Sequence, residues 1–171
     1  MSREPLDLPF DPIARAGAIW ETKFGPAAAM RVATSVMRAQ QLLLSRFDEI
    51  LKPHDLTFAR YEALVLLHFS RAGELPLSVI GQRLMVHPTS VTNIVDRLVA
   101  QGFVERRPNP RDGRGVLARL TAPGRRTVKR ATTDLMADGF GLAMYDEADL
   151  GTLFDQLRRL RVAAGDFQNP A

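Results

Sequence analysis

LSVIGQRLMVHPTSVTNIVDRLVA, residues 77–100, is the stretch that decides the fold. Ser78 predicts a helix start, with Val79, Ile80 and Leu84 facing inward along a short helix over 79–84. Met85-Val86-His87 reads as a turn, and Pro88 stands where a first-turn proline is tolerated because its missing amide would be unpaired anyway. In the helix that follows, to Ala100, Val91, Ile94, Val95 and Leu98 form an i, i+3, i+4, i+7 stripe. Thr89, Ser90, Thr92, Asn93, Asp96 and Arg97 cover the other sides. Hydroxyls, an amide and an arginine can meet base edges and phosphates, and the helix, about 18 Å long, fits a major groove about 12 Å wide. Two helices joined by a tight turn form the helix-turn-helix pattern, although an ordinary helical hairpin reads the same in isolation.

The next residues separate the two readings. Gly102 ends the helix. Phe103-Val104-Glu105-Arg106-Arg107 and Val116-Leu117-Ala118-Arg119-Leu120 read as strands around a polar turn, 108–115, that no core could hold and that carries Arg111 and Arg114. A helix-turn-helix followed at once by a hairpin with a basic tip is a winged helix, in which the helix enters the major groove and the wing reaches flanking phosphates or the minor groove. Charge supports this placement. From Arg97 to Arg130 there are ten basic residues and two acids, a local charge of +8 in a chain whose net charge is +4. Such a concentration is an electrostatic footprint for a polyanion. The preference for arginine over lysine, 20 against 3, suits bidentate contacts but also follows from GC-rich coding.

Working outward, Asp11 and Pro12 open a short helix over 13–23, behind an irregular arm with Pro5 and Pro9. Residues 27–51 lack Gly and Pro and repeat Val32, Val36, Leu43, Phe47 and Ile50 at three and four. Thr57 or Asp55 caps a mostly buried helix from Phe58 to Ser70. Leu75-Pro76-Leu77 is extended, since a residue before proline avoids the helical region. Thr121 caps a helix over 122–144 with a bend expected at Gly139 and Gly141, and Asp146 caps a last one over 147–162. The expected organisation is an arm and extra helix at 1–26, one domain at 27–162 with its winged helix-turn-helix at about 57–120, and a flexible tail at 163–171. The helices 27–51, 122–144 and 147–162 carry apolar faces too large for a small winged helix to cover. A homodimer follows, with its terminal helices interdigitated and two recognition helices about 34 Å apart on a palindromic site of double-stranded DNA.

Composition excludes several other classes. At 171 residues, 46% hydrophobic and 25% charged, the chain is one folded unit rather than a disordered or low-complexity one. With no cysteine it has no disulfide, iron–sulfur cluster or thiol nucleophile. His54, His68 and His87 lack the spacing of a metal pair, and neither a nucleophile elbow nor a glycine-rich phosphate loop is present, so neither an enzyme nor a metal or other cofactor is expected. The N-terminal residues do not read as a signal peptide, and no apolar run approaches the eighteen residues of a membrane helix, which makes cytoplasm the expected location and a membrane partner unexpected.

These motifs together resemble the multiple-antibiotic-resistance regulator (MarR) family of bacterial winged-helix proteins. The resemblance is carried by Leu77 to Leu84, Val91 to Leu98, Gly102-Phe103-Val104-Glu105-Arg106, Asp112-Gly113-Arg114 and Leu120-Thr121-Ala122-Pro123-Gly124, and the helix order matches from about 30 to 160. It implies a mainly α fold with a small β-hairpin wing and N- and C-terminal dimerisation helices. It also implies a sequence-specific transcriptional regulator, most often a repressor released by a small aromatic or phenolic compound. By the same resemblance Pro88, Thr89, Ser90, Thr92, Asn93 and Arg97 meet the groove or backbone, Arg114 matches the wing-tip arginine, and Asp112 matches the acid that holds the wing arginine or loop in shape; Arg111 beside them is a further DNA-binding candidate. Asn93 departs from the basic residue usual at its position and points to an adenine contact instead. Trp20, Met37, Phe58, Tyr61, Glu62 and His68 are the candidate effector lining, aromatic and aliphatic with few charges, although each also has an ordinary packing role. An architectural or non-inducible DNA binder is the alternative.

Overall fold

The computed structural model describes residues 7–110, 112 and 115–168. Along them run α1 (Pro12–Phe24), α2 (Ala28–Leu51), a 3₁₀ turn (Lys52–His54), α3 (Phe58–Phe69), β1 (Glu74–Pro76), α4 (Leu77–Leu84), α5 (Pro88–Ala100), β2 (Val104–Pro108), β3 (Val116–Leu120), α6 (Ala122–Ala137), a second 3₁₀ turn (Gly139–Gly141) and α7 (Glu147–Ala163). The architecture is mainly helical with one small sheet.

Leu51, Leu64, Leu67, Ile80, Val91, Val95, Leu98, Val128 and Leu135 are fully buried and belong to one cluster, so α3, α4, α5, the sheet, α6 and the C-terminal end of α2 share a single core. The strand ends nearest the core join it: Val104 and its partner Leu120 are buried, as is Ala118, while Arg106 and Arg107 are exposed.

The sheet has three antiparallel strands in the order β1-β3-β2, one more than the expected hairpin. The extended segment before Pro76 is itself a strand, pairing Glu74 with Arg119 and Pro76 with Leu117. A three-residue strand has no periodicity of its own, and only the far side of the wing gives it a partner.

Several helix starts match their sequence signals. Asp11 accepts from the Ile13 N–H at 2.8 Å, Thr121 from Gly124 at 3.1 Å and Asp146 from Asp149 at 2.8 Å. Two do not. Thr57 occupies the N-cap position of α3 but its side chain makes no capping bond; the Phe58 N–H donates instead to Asp48 Oδ1 on α2 at 2.8 Å, and Asp55 accepts from Gln101 Nε2 at 2.8 Å. Ser78 does not cap its helix, because α4 already begins at Leu77 behind Pro76. Thr121 does more than cap, since its hydroxyl also reaches the Gly102 carbonyl at 2.8 Å. Gly124 is required there because a Cβ would lie 2.1 Å from the Phe103 carbonyl oxygen.

The helix expected over 122–144 ends at Ala137. Gly139, Phe140 and Gly141 all take positive φ, a conformation that closes the helix rather than bending it. Asp138 holds the break by accepting from the Gly141 N–H at 3.0 Å and from Arg46 Nε on α2 at 3.0 Å, and its pairing with Arg46 draws its carboxyl below the usual aspartate range. Phe140 packs edge-on to Phe47, ring centroids 6.0 Å apart. Beyond α7 the chain turns back, and Arg158 and Arg161 both lie over the Phe167 ring.

Candidate nucleic-acid interface

The recognition helix is presented by its neighbours. Gly81 lets α4 and α5 cross closely, since a Cβ there would sit 3.0 Å from Val91, and Val91, Val95 and Leu98 anchor α5 in the core. Pro88, Thr89, Ser90, Thr92, Asn93 and Arg97 are thereby all exposed on one elongated surface. Ser90, Asn93 and Arg97 make no side-chain hydrogen bond or ion pair among the described residues, which leaves those groups available to a ligand. Thr92 is partly occupied, its hydroxyl donating to the Pro88 carbonyl at 3.2 Å.

Sequence reasoning missed the cap of this helix. The Thr89 N–H donates to His87 Nδ1 at 3.3 Å, and Thr89 Oγ1 lies 3.2 Å from the same nitrogen. Histidine is an unusual cap, and its ring must be free of a proton at Nδ1 to serve. Met85, in the turn before it, has φ 53° and is 78% exposed.

The wing stands beside the helix. Arg106, on the sheet face shared with Val104, pairs with Asp96 of α5 at 2.7 Å. On the opposite face Glu105 binds Arg107 at 2.8 Å and approaches Arg119 at 3.8 Å. Arg106, Arg107 and Arg119 of the basic segment are therefore engaged within the protein, as is Arg125 through His68, and a tally of charge alone overstates the groups available to phosphate. Asp112 lies in the wing turn, where its N–H donates to the Asn109 carbonyl at 3.2 Å and its carbonyl accepts from Gly115 at 2.8 Å. Arg111 and Arg114, the arginines expected at the tip, lie outside the described residues, as does Gly113.

The six candidate effector residues have differing surroundings. Trp20 stacks on Phe24 with centroids 4.9 Å apart, and Met37 is exposed on α2. Phe58 packs between Phe47 at 4.6 Å and Tyr61 at 6.0 Å. Tyr61 is buried, with its hydroxyl 3.0 Å from Thr132 Oγ1. Burial raises the Glu62 carboxyl above the ordinary glutamate range. His68 Nδ1 accepts from Arg125 at 3.2 Å, and burial, then Arg125 and Lys129, hold the ring below the ordinary histidine range. A cleft of about 500 Å³ lies elsewhere, between α4 and α5, lined by Leu77, Ser78, Gly81, Gln82, Met85, Val86, Pro88, Val91 and Thr92. No described helix is long and apolar enough to cross a membrane.

Comparison with known proteins agrees with this geometry. The model of the MarR family matches residues 54–115, the span from the 3₁₀ turn before α3 to the wing. An uncharacterized HTH-type transcriptional regulator of Bacillus subtilis, YhbI, is 32% identical over 116 residues, covering 68% of this chain and 70% of that protein. Among solved structures, Sco5413, a MarR family transcriptional regulator from Streptomyces coelicolor, superposes with a TM-score of 0.77 at 61% identity, covering 82% of this chain and 98% of that one. A mutant of MarR from Escherichia coli, complexed with operator DNA, superposes with a TM-score of 0.70 at 25% identity, covering 78% and 96%.

Proposed function

Since the chain belongs to the MarR family of winged helix-turn-helix, DNA-binding transcriptional regulators, we propose that it acts as a homodimeric repressor that recognises a palindromic operator and is released by a small aromatic or phenolic ligand. The observation that carries the sequence-specific part is the exposed face of α5, where Ser90, Asn93 and Arg97 stand unengaged beside a wing braced against the same helix. Asn93 reads a base, most simply adenine N6 and N7, while Arg97 binds phosphate and Arg114 supplies the wing contact.

Footprinting on DNA from the chain's own promoter region tests the reading. Wild type protects two half-sites about one duplex turn apart. Arg97→Ala weakens binding and lowers the salt slope by nearly one, with stability unchanged within about 0.5 kcal/mol. Asn93→Ala costs roughly 1 to 3 kcal/mol on the specific site and little on random DNA. Uniform protection without sequence preference selects the architectural alternative and overturns the repressor.

The release step rests on linkage. A ligand wedged between the winged unit and the terminal helices, near Trp20, Met37, Phe58, Tyr61, Glu62 and His68, changes the spacing of the two recognition helices. A preference of about 2.7 kcal/mol for the misaligned state lowers DNA affinity up to a hundredfold. Binding of an aromatic acid or phenol then changes Trp20 fluorescence, and operator DNA weakens that ligand by the same factor. An intact dimer that recognises its operator and yields no such ligand from a broad aromatic library is a constitutive regulator.

A further inference from the structure

Asp96 is out of place on electrostatic grounds. It stands on the exposed arc of the recognition helix, between Thr92 and Arg97, where a carboxylate repels phosphate, and near the helix C-terminus, where the macrodipole disfavours negative charge. A solvent-facing aspartate is also a poorer helix former than alanine. Among the described residues its partner is Arg106 Nη2 at 2.7 Å, on the strand that leaves the core toward the wing. The contact joins the two DNA-facing elements directly, outside the hydrophobic core. Arg106 is aimed into it by the register, which puts residue 106 opposite the fully buried Ala118 and on the same face as Val104.

We propose that the Asp96–Arg106 ion pair is a strut that sets the position of the wing relative to the recognition helix, and that Arg106 is a positioning residue for DNA binding rather than a phosphate contact. This rests on the functional reading above, in which helix and wing engage one duplex together. The pair is solvent-exposed, so it adds little to global stability. Its value lies in geometry, because a wing free to swing about its root must be ordered again at each binding event. The arginine also neutralises the carboxylate that would otherwise face DNA.

The two roles predict opposite signs for one substitution. Asp96→Ala removes a negative charge from a DNA-facing surface and improves helix propensity, so charge and propensity alone make binding tighter. The strut makes it weaker, by about tenfold, with protection lost over the flanks that the wing covers and kept in the central major groove. Arg106→Ala gives the same loss, Arg106→Lys recovers most of it, and the Asp96→Ala, Arg106→Ala double variant is no worse than either single one. In the free protein, Asp96→Ala speeds amide exchange in Val104–Pro108 and Val116–Leu120 without lowering the unfolding midpoint. Equal or tighter DNA binding by Asp96→Ala, additive losses in the double variant, or unchanged exchange in the wing strands overturns the strut. A wild type that binds no DNA overturns the functional reading instead, and the exchange measurement, which needs no DNA, still decides whether Asp96 holds the wing.

Discussion

At the level of single residues, backbone strain and local charge make separate predictions. Met85 occupies the left-handed region at φ 53° with its side chain 78% exposed, so it bears the Cβ strain of that conformation without burying much in return. That strain costs roughly 1–2 kcal/mol in a residue with a Cβ, while glycine in its place loses somewhat more chain entropy on folding. Met85→Gly is expected to stabilise the protein by about 0.5–1 kcal/mol, read as a higher urea midpoint at unchanged slope. His68 gives a pH dependence. Burial, Arg125 and Lys129 lower its proton affinity in the folded state, so as pH falls through the ordinary histidine range the unfolded chain takes up a proton that the folded one does not, and folding loses stability until pH has passed the lowered folded-state pKa. Arg125→Ala, which removes one of the two cations, raises the folded-state pKa in an NMR titration and flattens that loss. Both residues show where the sequence was silent. Nothing in its pattern distinguishes a turn residue with positive φ, or a histidine 57 positions from its arginine partner. His87 as a cap and Asp48 as a cap for α3 are likewise products of tertiary placement, not of local preference.

Elements with a repeating signal were legible, and those defined by contact were not. The stripe Val91, Ile94, Val95, Leu98 is long enough to fix α5 and its exposed face, and the polar 108–115 turn between apolar strand ends marks the wing. By contrast β1 is three residues long and becomes a strand only by pairing with β3. The break after α6 lay between these cases, since the glycines announced weakness but not that Phe140 would share their left-handed backbone. Here Gly141 has φ 69°, and a Cβ would also meet Leu43 Cδ2 at 3.1 Å. Gly141→Ala is therefore expected to destabilise by about 1–2 kcal/mol, from left-handed strain and a forced shift of Leu43. The measurement is thermal unfolding of the variant beside Gly151→Ala, which lies in α7 with open space around its Cα. A Gly151 change alone should leave the midpoint level or raise it, because alanine is the better helix former. Equal behaviour of the two variants would show that the break tolerates any residue.

Across the whole molecule, the imbalance is in apolar surface. α7 is seventeen residues long and has no buried position, and a helix of that length is marginal in water without packing. Leu153, Phe154, Leu157 and Leu160 form an i, i+1, i+4, i+7 stripe along it, with Phe154 57% and Leu160 59% exposed. α1 adds Ile19, Trp20 and Phe24, and α2 adds Val32, Val36 and Met37, all exposed. A lone protein rarely shows apolar patches beyond a few hundred Å², whereas a stable interface buries about 800 Å² on each partner. In the proposed homodimer a second copy would supply matching surface, because a two-fold axis sets the same patch against itself. Sedimentation at micromolar concentration is expected to give about twice 19.0 kDa. Phe154→Asp with Leu157→Asp buries two carboxylates at that seam, which is unfavourable without partners, and should yield a monomer whose core around Leu64, Leu98 and Leu135 still unfolds cooperatively. That monomer keeps weak contact with a half-site and loses tight binding to the palindrome, since the second recognition helix no longer arrives with the first. A species of 19.0 kDa that holds the full palindrome as tightly as wild type would mean that α1, α2 and α7 serve some purpose other than pairing two copies.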